Sequence, residues 1–170
     1  VAFLSGNKFG VEAVSFYLVA YFVTSVGAFG IIALLSDEDR DAERMEDYKG
    51  LFWVRPWMAA AFTAMLLSLA GIPLTAGFIG KFYLLASGVG AQMWLLVIVL
   101  VINSVIGLYY YIRIVALMFD SSASVNPERL HPTVYVGGLV TIFVLSVLLI
   151  WLGIFPQEMI SMIRNLIALG

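Results

Sequence analysis

The sequence predicts an all-α integral membrane protein, a multi-span helix bundle in which one transmembrane helix is discontinuous. Three observations carry that reading. The 170 residues are 62% hydrophobic and only 12% charged, more apolar side chain than a soluble domain of this size can bury. Uncharged or nearly uncharged stretches long enough to cross a bilayer core of about 30 Å recur at 13–36, 92–119 and 133–154. The apolar run 58–86 carries Gly71, Pro73, Gly77, Gly80 and a lysine, Lys81, in its middle, which breaks the helix it would otherwise form.

Composition also excludes several classes of function. A formal net charge of −2 offers nucleic acid no electrostatic footprint. The absence of cysteine rules out disulfides, thiolate zinc and iron–sulfur ligation. The single histidine, His131, stands beside Pro132 in a polar stretch, which argues against haem or copper. No metal site, no cofactor and no soluble substrate is expected in this chain. It starts at Val1 with neither a methionine nor a signal-peptide pattern, so the expectation is a piece of a longer polypeptide.

Taken in order, residues 1–11 are short and mixed, with Lys8 and then Glu12 expected at the membrane interface. In the first span, 13–36, Ala20, Thr24 and Ala28 fall four apart, and Gly27 and Gly30 add points of close approach. That pattern suits tight helix packing, with Thr24 and Ser25 as candidates for a polar path. Residues 37–49 are the strongly charged stretch: Asp37, Glu38, Asp39, Asp41, Glu43, Glu46 and Asp47 lie among Arg40, Arg44 and Lys49. Clustered carboxylates can hold a hard cation. The spacing lacks a calcium-loop pattern, however, and Asp37/Arg40 and Asp41/Arg44 stand at the helical i,i+3 pairing distance, so a solvated connector is expected. Trp53 and Trp57 then read as headgroup anchors, and Pro56 opens the next helix.

As one straight helix, 58–86 would run about 43 Å, more than a crossing requires. Two half-helices, 58–71 and 78–86, joined by unwound chain are the simpler reading. Broken backbone at membrane depth survives only where protein or water satisfies its polar groups, and an intramembrane lysine is by default a functional-site candidate. Apolar burial and the positive end of the second half-helix both disfavour the ammonium form of Lys81. Free carbonyls near 69–71, if they face it, steady that form. Opposed influences of this kind leave an amine able to take up and give up a proton. The bland alternatives are a lysine that snorkels toward the headgroups and a break that is a packing kink.

A turn is expected at 87–90, followed by the span 92–119. Asn103 and Ser104 near its middle are candidates for an interhelical bond or a polar path. Tyr109, Tyr110 and Tyr111 with Arg113 read as an interfacial belt. A polar loop, 120–132, with Asn126-Pro127 and His131-Pro132 as breakers, precedes the last span, 133–154. The tail 157–169 is amphipathic, with Met159, Ile160, Ile163, Leu166 and Ile167 on one face. It is expected along the interface or on a neighbouring subunit. If the spans alternate, Arg40, Arg44, Lys49, Arg55, Arg113 and Arg129 share one side, and Lys8 and Arg164 the other. The first side is then cytoplasmic, with both ends of the chain on the opposite face.

Residues 67–82, Leu-Ser-Leu-Ala-Gly-Ile-Pro-Leu-Thr-Ala-Gly-Phe-Ile-Gly-Lys-Phe, resemble the antiporter-like membrane subunits of the proton-pumping NADH–quinone oxidoreductase, complex I. The segments Tyr48-Lys49-Gly50-Leu51-Phe52, Gly107-Leu108-Tyr109-Tyr110-Tyr111-Ile112-Arg113 and Gly153-Ile154-Phe155-Pro156 extend the likeness over essentially the whole chain. The Ser-Leu-Ala-Gly-Ile-Pro core is shared with Mrp-type antiporters. Gly-Phe-Ile-Gly-Lys-Phe is more specific and resembles the bacterial N-type branch, since the M-type has a glutamate where Lys81 stands and the L-type follows its lysine with acidic residues.

The resemblance implies that the chain is the C-terminal part of one antiporter-like domain in the bacterial inner membrane, and that Lys81 ends a proton half-channel. It implies other membrane-arm subunits of complex I and the lipid bilayer as partners. It implies too that NADH, FMN, iron–sulfur clusters and quinone are bound elsewhere in the complex. The family's other key glutamate and lysines lie on earlier helices, so this chain by itself is not expected to pump. An Mrp-type cation/proton antiporter subunit and a purely structural membrane scaffold are the competing readings.

Overall fold

The computed structural model describes residues 8–36, 42, 44–121 and 136–169. His131, Arg129, Arg40, the acidic residues Asp37, Glu38, Asp39, Asp41 and Glu43, and the breakers Asn126-Pro127 lie outside the described residues. The rest is helical: α1 (Lys8–Leu35), a 3-10 turn (Met45–Tyr48), α2 (Leu51–Val54), α3 (Pro56–Ala70), α4 (Ala76–Gly90), α5 (Trp94–Met118), α6 (Val136–Ile154) and α7 (Pro156–Leu169). Among the described residues, α1, α5 and α6 are each long and apolar enough to cross a membrane. At 15 residues each, α3 and α4 reach only about 22 Å apiece, so they cross as a pair.

Small residues let α1 act as the central post. Ala20, Thr24 and Ala28 are all buried. A Cβ at Gly27 would strike Met65 of α3, one at Gly30 would touch Ile142 of α6, and one at Gly80 of α4 would approach the Tyr17 backbone. Close approach of this kind maximises the dispersion contacts that hold helices together in lipid. Thr24 meets Ser68, and Phe9 and Phe16 meet Tyr83. Positions 27, 24, 17 and 9 of α1 therefore face 65, 68, 80 and 83, and α3 and α4 together form one crossing antiparallel to α1. Leu34 packs on Gly138, so α6 is also antiparallel to α1.

The connector closes the opposite end of α5. Gly50, at φ +74, donates its N–H to Leu117 O (3.1 Å), and Trp53 Nε1 donates to Phe119 O (3.3 Å). Phe52 stacks on Phe119 at 4.5 Å, and Lys49 pairs with Asp120 at 3.3 Å. The first two satisfy carbonyls that a helix C-terminus leaves open. The buried Tyr48 donates to Ala42 O (2.6 Å) and packs its ring on Phe62.

Several boundaries differ from the sequence reading, α5 beginning at Trp94 rather than 92 among them. The described part of the first helix already includes Lys8, ahead of the span start expected at 13, and its Glu12 carboxylate is held by Arg164 Nε and Nη2 at 3.1 and 3.0 Å. The second half-helix starts at Ala76 rather than 78, capped by Thr75, whose Oγ1 accepts from Phe78 N. It also runs on to Gly90: Ser87 and Gly88 are buried packing positions, and the turn falls at 91–93, with Gln92 at φ +57. The tail helix α7 packs part of its apolar face inward. Ile163 is buried, and Met159, Ile160 and Ile167 pack on the chain's own core, while Leu166 is left 69% exposed.

Candidate functional site

The break is built from the free ends of two helices. Gly71, at φ +81 and ψ +43, ends α3. Its N–H donates to Ser68 O (3.0 Å), and Ile72 N donates to Leu67 O (3.1 Å), which together make a Schellman turn. Of the four carbonyls that a helix end leaves open, those of Leu67 and Ser68 are thereby satisfied. Leu69 O and Ala70 O take their donor from elsewhere: Lys81 Nζ donates to them at 2.7 and 3.1 Å. The amine thus replaces the turn of helix that Pro73 interrupts, at the negative end of the α3 dipole.

Lys81 reaches these carbonyls because α4 overlaps α3 side by side. Gly77 N donates to Ser68 Oγ (3.1 Å), and a Cβ on Gly77 would lie 1.9 Å from Ser68 O. Only glycine fits there. Lys81 follows one turn later, with its stem over Gly71, where a Cβ would fall 2.9 Å from Lys81 Cδ. Since α4 begins at Ala76, Lys81 sits on the second helical turn, not the first as expected. The N-terminal dipole has largely faded there, and the carbonyls of α3 dominate its surroundings. The amine points back into the break rather than toward the end of α4 at Gly90, nine residues or about 13 Å away. That geometry does not fit a snorkelling lysine. Leu74 at φ +76 adds local strain of a kind that clusters at functional sites, and the break rests on α6, where a Cβ at Gly153 would lie 2.9 Å from Leu74 O.

Lys81 opens onto a partly open cavity of about 190 Å³ between α1, α3, α4 and α5, room for about six waters. Among the sequence candidates, Thr24, Asn103 and Ser104 line it with Lys81 and Gly77. Ser25 does not. One residue on from Thr24, about 100° around the helix, it borders an apolar depression with Leu18 and Phe22 on the outer face of α1. Two of the lining hydroxyls are committed to their own helices: Thr24 Oγ1 donates to Ala20 O at 2.5 Å and Ser104 Oγ to Leu100 O at 2.8 Å.

The sequence reading missed Ser68, Tyr17, Tyr21 and Tyr111, which line the same cavity. Tyr17 and Tyr21 stack at 5.9 Å. A signal for them existed. Tyr17, Tyr21 and Thr24 stand at i, i+4 and i+7 on α1, and Asn103, Gly107 and Tyr111 at i, i+4 and i+8 on α5, each one stripe of a helix. Tyr111 is therefore a cavity residue rather than part of the interfacial belt, whereas Tyr109 and Tyr110 are exposed.

Comparison with known proteins agrees with this architecture. Residues 1–107 match the family model described as NADH:quinone oxidoreductase/Mrp antiporter, transmembrane. The chain is 47% identical over 154 residues to NADH-quinone oxidoreductase subunit N of Methylococcus capsulatus, covering 91% of this chain and 30% of that protein. It is 42% identical over 172 residues to subunit N of Ectopseudomonas mendocina, covering 97% and 34%. It thus spans about a third of the length of these relatives. Among solved structures, it is similar to respiratory complex I from Thermus thermophilus with bound aureothin (TM-score 0.75, 28% identity, 94% of this chain and 35% of that one). It shares its fold with the Mrp complex from Dietzia sp. (TM-score 0.76, 21% identity, 92% and 37%). These relatives, the apolar helices and the broken crossing make it a multi-pass membrane protein, and the chain belongs to the NADH:quinone oxidoreductase/Mrp antiporter transmembrane family.

Proposed function

We propose that the chain is part of a proton-translocating N-type membrane-arm subunit of NADH–quinone oxidoreductase, with Lys81 as the group that takes up and gives up the transported proton. The observation that carries this reading is the seating of the Lys81 amine on the two α3 carbonyls left open by the break, at the edge of a polar cavity. The carbonyls favour the ammonium; the apolar helices around them disfavour it. A carboxylate approaching or receding on another helix of the full protein then tips the balance. Phenol groups both accept and donate a proton without a lasting change of charge, which suits Tyr17, Tyr21 and Tyr111 to relaying along the cavity. Thr24 and Ser104, bonded to their own helices, are less suited.

In this reading NADH, FMN, iron–sulfur clusters and quinone belong to other subunits, and the redox chemistry lies outside the chain. Its partners are the other membrane-arm subunits and the bilayer of a bacterial plasma membrane. Arg44, Lys49 and Arg55 stand at the end where α1 finishes and α3 begins, with Arg113 on the last turns of α5, and that end is cytoplasmic by the excess of basic residues.

The test uses the full-length subunit carrying Lys81→Met, assembled in the complex and reconstituted in liposomes, with proton uptake recorded beside NADH–quinone turnover. Fewer protons per NADH, or loss of coupled turnover, is the expected result. An unchanged yield supports a scaffold instead, and a yield that requires sodium supports cation/proton antiport.

A further inference from the structure

The polar contacts across the break form a directed chain. Thr24 Oγ1 gives its proton to Ala20 O, so in its 3.4 Å contact with Ser68 Oγ the donor is Ser68. Ser68 Oγ in turn accepts from Gly77 N at 3.1 Å. The order is Gly77 N–H to Ser68 O–H to Thr24 O–H to Ala20 carbonyl, with backbone groups at both ends. Thr24 and Ser68 are each 1% exposed, so these contacts are made within the packed helices. A chain that begins at an amide and ends in a helix carbonyl carries no proton to Lys81. It ties three helices together at one height: α1 through Thr24, α3 through Ser68 and the start of α4 through Gly77.

We infer that Ser68, backed by Thr24, is a positioning residue that fixes the start of α4 against α3 and so sets the reach of Lys81 to the Leu69 and Ala70 carbonyls. This rests on the proposal that Lys81 exchanges the transported proton. Gly77 N is one of the open amides at a helix start, and α4 lies so close to α3 there that a Cβ on Gly77 would fall 1.9 Å from Ser68 O. Lys81 is four residues, or about 6 Å, further along the same helix. A small slide of the α4 start therefore moves the amine relative to both carbonyls.

Two measurements on the full-length subunit in assembled complex test the inference, using Ser68→Ala, the isosteric Thr24→Val, the hydroxyl-retaining Thr24→Ser and Lys81→Met. Hydrogen exchange reads the clamp itself. Segment 74–80 is expected to exchange several-fold faster in Ser68→Ala and Thr24→Val, and as in the parent in Thr24→Ser. The pH profile of protons delivered per NADH reads its hold on Lys81, and is expected to move to lower pH by about half a unit in the first two variants, the effect of one ordinary hydrogen bond. Unchanged exchange overturns the clamp, and so does faster exchange in Thr24→Ser. Faster exchange with an unmoved pH profile overturns its hold on Lys81. If Lys81→Met delivers the parental yield while the exchange differences persist, the proton role fails instead. Should Ser68→Ala not assemble, Thr24→Val decides alone.

Discussion

A single methyl group at Gly77 is expected to wedge the half-helices apart. An ideal Cβ there lies 1.9 Å from Ser68 O and 2.7 Å from Ser68 C, whereas ordinary contact begins near 3.4 Å. Both neighbours are backbone, so no rotamer change relieves the overlap. Helix α4 must slide by about 1.5 Å, which strips Gly77 N of its bond to Ser68 Oγ and draws Lys81 away from its carbonyls. Overpacking costs about 1–3 kcal/mol and the lost hydrogen bond about 1 kcal/mol, while the better helix propensity of alanine returns less than about 1 kcal/mol. A net of about 2–3 kcal/mol is roughly a 30- to 150-fold shift in the folding equilibrium. Titrating the full-length subunit in micelles with a denaturing detergent measures it, with Gly90→Ala as control, because a Cβ at Gly90 meets nothing within 4 Å. If Gly77→Ala matches Gly90→Ala, the side-by-side seat of α4 on α3 is wrong.

Two further perturbations follow from the same geometry. Burial, with the nearby Asp47 carboxylate, pushes the Tyr48 phenol above its ordinary value of 10.0, so the neutral donor is the favoured folded form. Its contribution is complete below pH 10.0 and is lost as pH climbs through the higher folded value. Tyr48→Phe, which deletes the bond to Ala42 O, is accordingly expected to cost about 1 kcal/mol at pH 7 and progressively less in strong alkali, in the same detergent titration at several pH values. Gly153→Ala would set a Cβ 2.9 Å from Leu74 O and 3.2 Å from Ala76 N. It is expected to cost about 1–3 kcal/mol and to speed amide exchange in 74–77; parental exchange there contradicts the support of the break by α6.

The break was legible because its causes are local. Gly71 and Pro73 end a helix wherever they stand, and the competing carbonyls near Lys81 could be named from spacing. The start of α4 lies two residues earlier than Gly77 and Gly80 suggest because Thr75, an N-cap residue, begins the helix before them. The glycines at 88 and 90 read as a turn because a sequence does not say that Gly88 is buried within α4. The side-by-side overlap of α3 and α4 is a tertiary fact, visible only once Gly77 lies on Ser68. Ser68 itself was hidden in an apolar helix, and Tyr111 behind two tyrosines that do face outward. Thr24 was separable from Ser25 in principle: it shares the face of Ala20 and Ala28 at i±4 spacing, and Ser25 does not.

The central claim is that Lys81 exchanges a proton rather than merely capping α3 with a positive charge. Lys81→Arg in the full-length subunit separates the two, measured as protons delivered per NADH in liposomes beside Lys81→Met. Arginine keeps the charge and the donors for Leu69 O and Ala70 O, yet does not deprotonate at any physiological pH. The account predicts that both variants lose proton delivery to a similar extent. Parental yield from Lys81→Arg, with loss only in Lys81→Met, would make the lysine a fixed cationic cap and contradict it.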